Sequence, residues 1–208
     1  MVVVSGSSVD VFYEEAHTST IDIGLVTLSL AGRVIRSNLV IASGAGGTPP
    51  NGPKRDLFFP LFGATTSSDG RLLAVAVPVV DRAAGHPVIE VWRSGDGGGS
   101  WSGPTELASG AAAQLTQLQP QLGVVGNQLV ASFFTESRDG VYSEWFTSAS
   151  GLTARFGAPR LVSTARFHAS GWIGDYQALA TTNDTVHLAW NDGRTGRLQI
   201  YSATLTTL

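Results

Sequence analysis

The chain has 208 residues with 25 Gly, 9 Pro and only 14% charged residues, a balance that suits many short strands and tight turns better than helices. A formal net charge of -3 with no basic run leaves no electrostatic footprint for nucleic acid or an anionic membrane. The absence of cysteine excludes disulfides and thiol catalysis without fixing a compartment, and no apolar run approaches the roughly 20 residues needed to span a bilayer.

In chain order, the N-terminus reads VVVS, a Gly-Ser turn, VDVFYEE, IDIGLVTLSL and a closing LVIAS, four strand-like runs within residues 1–43. It lacks the basic region and longer apolar stretch of a secretory signal. The next units open on hairpins: FFPLFGATTSSDGRLLAVAVPV (58–79), LQPQLGVVGNQLVASFFTES (118–137) and GDYQALATTNDTVHLAWND (174–192). Their turns fall at Asp69-Gly70, Gly126-Asn127 and Asn183-Asp184, dipeptides that reverse a chain between β-patterned runs. The second halves also correspond: VIEVWRS (88–94) with VYSEWFT (141–147), and WSGPTELAS (101–109) with FGAPRLVS (156–163). The units are approximately 1–43, 58–109, 118–163 and 174–208, a period of about 50–60 residues that suits propeller blades of four strands. The run SGAAAQLTQLQ (109–119) has helical propensity, but Gly110 and Pro120 limit it to a loop or one short turn.

Between the third and fourth strands of the second unit lies Ser94-Gly95-Asp96-Gly97-Gly98-Gly99-Ser100-Trp101, which matches S-x-D-x-G-x-x-W, the Asp-box. Ser94 and Asp96 are expected to accept hydrogen bonds from the turn's own N–H groups, Gly98 to allow a positive φ, and Trp101 to anchor the loop. In the third unit Ser150 replaces the Asp and Phe156, displaced by one residue, replaces the Trp. A turn-stabilising residue tolerates such replacement, so the role expected for Ser94, Asp96, Gly98 and Trp101 is structural.

On these residues and on the last unit, GDYQALATTNDTVHLAWNDGRTGRLQIYSATL, the sequence resembles the Asp-box, or BNR-repeat, β-propellers of the sialidase-like superfamily. The resemblance implies an all-β fold, a β-propeller of four-stranded antiparallel blades. Sialidases have six blades and this chain supplies about four, so a fragment, a half that pairs with another chain, or a small unusual propeller all belong to the reading, with self-association expected if the propeller is incomplete. The F/Y-R-I-P segment that supplies the first sialidase arginine is missing.

Ligands of the superfamily bind on the face opposite the Asp-box, at the loops between strands two and three and between blades. Those loops carry Glu14-Glu15-Ala16-His17, Asp81-Arg82, Glu136-Ser137-Arg138-Asp139 and Asn191-Asp192-Gly193-Arg194. The resemblance implies that Arg82, Arg138 and Arg194 hold a substrate carboxylate through their planar guanidinium forks. It also implies Tyr176 as nucleophile, Glu136 as the group that activates it, and Asp81 or Asp192 as acid/base. The alternative for the Asp/Arg pairs is that they are solvated turn residues, worth under about 1 kcal/mol each. In the linking segment 164–174, Trp172 and His168 are placed to stack on and hydrogen-bond a sugar, Trp172 having blade packing as its plainer use.

No His or carboxylate spacing suggests a metal, and no cofactor motif is present. The expected partner is a glycan or glycoconjugate, with a non-catalytic propeller binding glycan or protein, or an inactive partial propeller, as alternatives to a glycoside hydrolase of exo-sialidase type. Family habit suggests a secreted or surface-attached protein, although no signal peptide is visible.

Overall fold

The computed structural model describes residues 1–17, 21–44, 61–81, 85–151, 154–169, 173–174 and 177–206. Arg82, Trp172 and Tyr176 lie outside them. Four antiparallel sheets succeed one another along the chain, and each is a meander whose neighbours in sequence are neighbours in space. The first blade is β1 (Val2–Ser5), β2 (Ser8–Ala16), β3 (Ile21–Ser29) and β4 (Val34–Gly44). The second is β5 (Gly63–Thr66), β6 (Leu73–Asp81), β7 (His86–Ser94) and β8 (Ser102–Glu106).

A single 3-10 turn, Ala112–Gln114, leads into the third blade, β9 (Thr116–Val125), β10 (Gln128–Glu136) and β11 (Val141–Ser150). Its outer edge is shared by two short strands, β12 (Arg160–Leu161) and β13 (Phe167–His168), which pair with different parts of β11. The last blade has three strands, β14 (Ala178–Thr181), β15 (Thr185–Asp192) and β16 (Gln199–Thr206). The fold is therefore an all-β propeller of about four blades whose sheets do not close into a ring.

Alternation of apolar residues gives each blade two packing faces. Phe12, Ile21, Ile23 and Leu25 of the first blade meet Leu73, Val75, Val77 and Val79 of the second. Ala74, Ala76, Ile89 and Val91 on the second blade's opposite face meet Leu122, Leu129, Ala131 and Phe133 of the third. The third blade's remaining face, with Val130, Phe134, Tyr142 and Phe146, packs on Val186, Leu188 and Trp190 of the fourth. Burial of a single such side chain stabilises by roughly 1.5–3 kcal/mol, so these three interblade layers rather than the hairpins themselves hold the blades together.

The turns expected from dipeptides are where the chain reverses. Gly126 has φ 54° between Val125 and Gln128, and Gly70 has φ 70° in a turn closed by its own N–H donating to the Ser67 carbonyl at 2.9 Å. Because every blade is a meander, the loop between strands two and three and the loop between strands three and four leave opposite ends. That sorting places the Ser94–Trp101 turn at one end of the propeller and the tips at 137–140 and 193–198 at the other.

Candidate functional site

The turn after β7 is fully wired. The Ser94 hydroxyl donates to Asp96 Oδ1 at 2.8 Å and accepts from the Gly98 N–H at 2.7 Å. Asp96 also accepts from the Ser100 N–H at 2.8 Å and the Ser100 hydroxyl at 2.7 Å. Those bonds, led by the Ser100 amide, hold the Asp96 carboxyl well below the usual carboxylate range although it is open to water. Gly98 has φ +84°, and a Cβ there would lie 2.9 Å from Leu25 Cδ2 of the first blade. Arg36 of that blade donates to the Gly97 carbonyl at 2.7 Å, and Trp101 meets Phe12 edge to face at 6.3 Å between centroids. The turn thus staples the second blade onto the first.

Phe156 does the corresponding work one blade on. It joins the layer between the second and third blades and lies 4.8 Å beneath the Arg93 guanidinium, which donates to the Ala154 carbonyl at 2.7 Å.

The opposite end carries a different chemistry. Glu136 closes β10 and stands across from Tyr142 on β11, so both side chains point at the fourth blade. Glu136 is 1% exposed, and neither carboxylate oxygen has a partner of full hydrogen-bond geometry, the Tyr142 hydroxyl being the polar group that faces it. Burial raises the Glu136 pKa, and the Tyr142 hydroxyl only partly offsets this. Burial, with the Glu136 charge beside it, raises Tyr142 as well. Tyr142 stacks on Phe167 at 5.6 Å, and Phe167 in turn meets Phe134 edge to face at 6.3 Å.

Glu144 lies across from Phe134, on the same face as Glu136 and Tyr142. It is fully buried, and burial pushes its carboxyl well above the ordinary range while the Ser132 hydroxyl opposes the shift. Two carboxyls and a phenol therefore line one interblade face in a low-dielectric setting.

The fourth blade answers with a carboxylate of opposite character. Asp192 is 0% exposed yet accepts from the Arg194 N–H at 2.9 Å, from Arg194 Nη2 at 2.5 Å and from Trp190 Nε1 at 3.3 Å. Burial pulls its pKa up, but the Arg194 and Trp190 bonds outweigh this and the net direction is down. The Arg194 guanidinium also donates to Thr164 Oγ1 at 2.6 Å and lies 4.1 Å over the Tyr201 ring. Its fork is turned onto the protein's own groups. The two carboxylate environments share one wall, since a Cβ on Gly193 would sit 3.1 Å from the Phe167 ring.

The other expected site residues are spread along the same end. Arg138 is exposed at the tip of the Ser137–Gly140 turn, where the Ser137 N–H donates to the Val141 carbonyl at 3.0 Å. Asp81 ends β6 opposite His86, and His168 is exposed on β13 opposite Val141. Among the described residues no three His, Cys, Asp or Glu side chains group as metal ligands, and no helix is long and apolar enough to cross a membrane.

Tyr142, Glu144 and Gln119 were not singled out in the sequence. The alternation of VYSEWFTSAS places Glu144 on an apolar face, a signal that was readable; Gln119 offered none. Gln119 is the one described non-glycine residue with positive φ, at 49°. It lies in a bulge where β9 slips against β10 between Ser132 and Phe134. Its Nε2 donates to the Gly174 carbonyl at 2.5 Å, and Gln177 Nε2 donates to the Gln119 carbonyl, tying the innermost strands of the last two blades.

No protein-family model matches the sequence, and no curated protein matches it. Solved structures do. A sialidase from a Hadza microbial source superposes with TM-score 0.56 at 15% identity, over 97% of this chain and 43% of that one. A family 117 glycoside hydrolase of the marine bacterium Zobellia galactanivorans gives TM-score 0.58 at 9% identity, over 97% and 64%. The β-propeller domain of the Trilobed protease from Pyrococcus furiosus, described as having an open velcro topology, gives 0.50 at 12%, over 99% and 55%. The shared property is the propeller fold. This chain spans about two fifths to two thirds of the length of those structures.

Proposed function

We propose that this propeller acts on glycans, as a glycoside hydrolase in which the buried Glu136 exchanges a proton with a phenol of the site rather than touching substrate itself. The observation that carries the reading is the divergence of two carboxyls at the same end of adjacent blades: Glu136 is buried without full hydrogen bonding and titrates high, while Asp192 is saturated with donors and titrates low. Glycoside hydrolysis pairs carboxyls of unlike proton affinity, and the raised member is the better acceptor of a proton from a phenol. Structural similarity to a sialidase and to a family 117 glycoside hydrolase supports the substrate class.

Within this reading Asp192 keeps Arg194 in place, and Arg138, exposed at the neighbouring tip, is assigned to a substrate's acidic group. The sialidase form of the reading assigns Tyr176 as nucleophile with Glu136 beside it, and adds Arg82 to the carboxylate-binding set, with His168 and Trp172 against the sugar. The test is turnover of a panel of chromogenic glycosides, sialosides and arabinosides included, by the wild-type chain, Glu136→Gln and Tyr176→Phe. Turnover lost in Glu136→Gln supports the proposal, and loss in Tyr176→Phe on sialosides selects its sialidase form. A folded wild-type chain inert on the whole panel overturns it in favour of a binding propeller, for which the similarity to a protease's propeller domain is the supporting observation.

A further inference from the structure

The two outermost sheet faces of the propeller, which no neighbouring blade covers, are made of different chemistry. On the first blade the outward residues are Val2 and Val4 of β1, Val9, Val11 and Tyr13 of β2, and Val26 and Leu28 of β3. Their register stacks them into rows, Val2 beside Val11 beside Val26 and Val4 beside Val9 beside Leu28. Val2 and Val4 are 59% and 61% exposed, and Val34, the partner of Leu28 on β4, is 55% exposed. Tyr13 lies flat across Gly24, where a Cβ would come within 2.3 Å of its ring, so the middle of the face is smooth as well as apolar. On the fourth blade the outward rows read Asn191 with Ile200, Ala189 with Ser202, His187 with Thr204, and Thr185 with Thr206, a mostly polar face that carries one isoleucine, 70% exposed, near its edge.

A head-to-tail contact between copies would set the apolar face against the mostly polar one and leave the hydroxyls of Ser202, Thr204 and Thr206 and the His187 imidazole facing valines. A two-fold contact sets the apolar face against itself. Charge favours the same arrangement. Glu15 lies on this face at the end nearest the loop between β2 and β3, opposite Asp22, whose carboxylate is already engaged by the His17 ring at 3.0 Å. Arg33 lies at the opposite end of the sheet, in the turn where the Ser29 N–H donates to its carbonyl at 2.8 Å. A two-fold axis perpendicular to the strands brings the acidic end of one copy over the Arg33 end of the other, twice. Strands about 4.8 Å apart and up to nine residues long give a face of roughly 500 Å². Two copies then bury roughly 1,000 Å², the lower bound for a specific interface.

We infer that the outer face of the first blade is an interface with a second copy of this chain, joined by a two-fold axis with the strands of the two sheets running roughly antiparallel. Sedimentation of the wild-type chain across about 1 to 200 µM tests it, since the dimer fraction must rise with concentration. The expected limit is twice the 21.7 kDa chain mass. Val11→Glu is expected to hold the mass at one chain, and Thr204→Glu on the fourth blade to leave the dimer intact, each with unchanged far-ultraviolet circular dichroism. Should Val11→Glu fail to fold, the charge swap decides: Glu15→Lys weakens the dimer by roughly threefold to tenfold, and adding Arg33→Glu restores it. A wild-type chain that stays at one chain mass throughout, an assembly that grows without limit, equal responses to Val11→Glu and Thr204→Glu, or a swap that fails to restore the dimer overturns the inference.

Discussion

Asp96 and Glu136 sit at opposite ends of the propeller and invert what exposure alone would suggest. Asp96 is open to water and yet every bond it makes serves its own turn, whereas Glu136 is shut away and has no full hydrogen bond. A carboxylate satisfied by amides and hydroxyls is stabilised in its charged form and has little left to give a ligand. One that is desolvated and underbonded holds its proton and is costly to keep, which is the condition under which acid–base chemistry is maintained. The comparison sets a carboxylate satisfied by its own turn at one end of the molecule against a desolvated one at the other.

The sharpest way to break that comparison is to make the buried carboxyl neutral. Glu136→Gln is expected to reduce glycoside turnover by about 10² to 10⁴-fold, while leaving the thermal unfolding midpoint unchanged or raised, because a buried underbonded carboxyl has been removed. An unchanged rate together with a lowered midpoint would move Glu136 to the structural side.

Trp101→Ala tests the other end. Removing the indole that meets Phe12 is expected to cost about 2–4 kcal/mol, read from urea unfolding, with turnover per folded molecule preserved.

The pH dependence of stability separates the two kinds of carboxyl by sign. Glu136 and Glu144 have raised folded values, so their contribution is present below the ordinary glutamate value of 4.5 and is lost as pH rises from there through their folded values. Asp96 and Asp192 have lowered folded values, so theirs is present above 3.8 and is lost as pH falls below it. Glu144→Gln should flatten the decline on the high-pH side of a melting-temperature profile, and Asp96→Asn the decline on the acid side. A profile in which each variant flattens the opposite limb would reverse the assignment.

The smallest effect is expected from Asp96→Ser. In the sequence Ser150 stands where the third unit would have the Asp, so the turn is expected to tolerate a serine and the melting temperature to fall only slightly, less than for Trp101→Ala.

Much of the architecture was legible because it is local. Asp69-Gly70 and Gly126-Asn127 reverse the chain by their own torsional preferences, and alternation along runs such as QLVASFFTE shows a strand without reference to anything else. The site was legible only in part. Glu136, Asp192 and Arg194 could be placed at one end by counting strands, but nothing in their order revealed that Arg194 turns back onto Asp192, Thr164 and Tyr201. Tyr142 lies six residues from Glu136 in sequence, and only the register of β10 against β11 makes them a pair.

By itself the sequence determined the strand pattern, the turns and the unit repeat, since φ preferences and side-chain alternation act within a few residues. Only the tertiary structure decided which carboxyls are satisfied and which are stranded, because desolvation depends on the neighbouring blade that closes over them. It also decided that the outward face of the first blade is apolar and that of the fourth mostly polar, a contrast that exists only once blades with two similar-looking faces have chosen which one to bury.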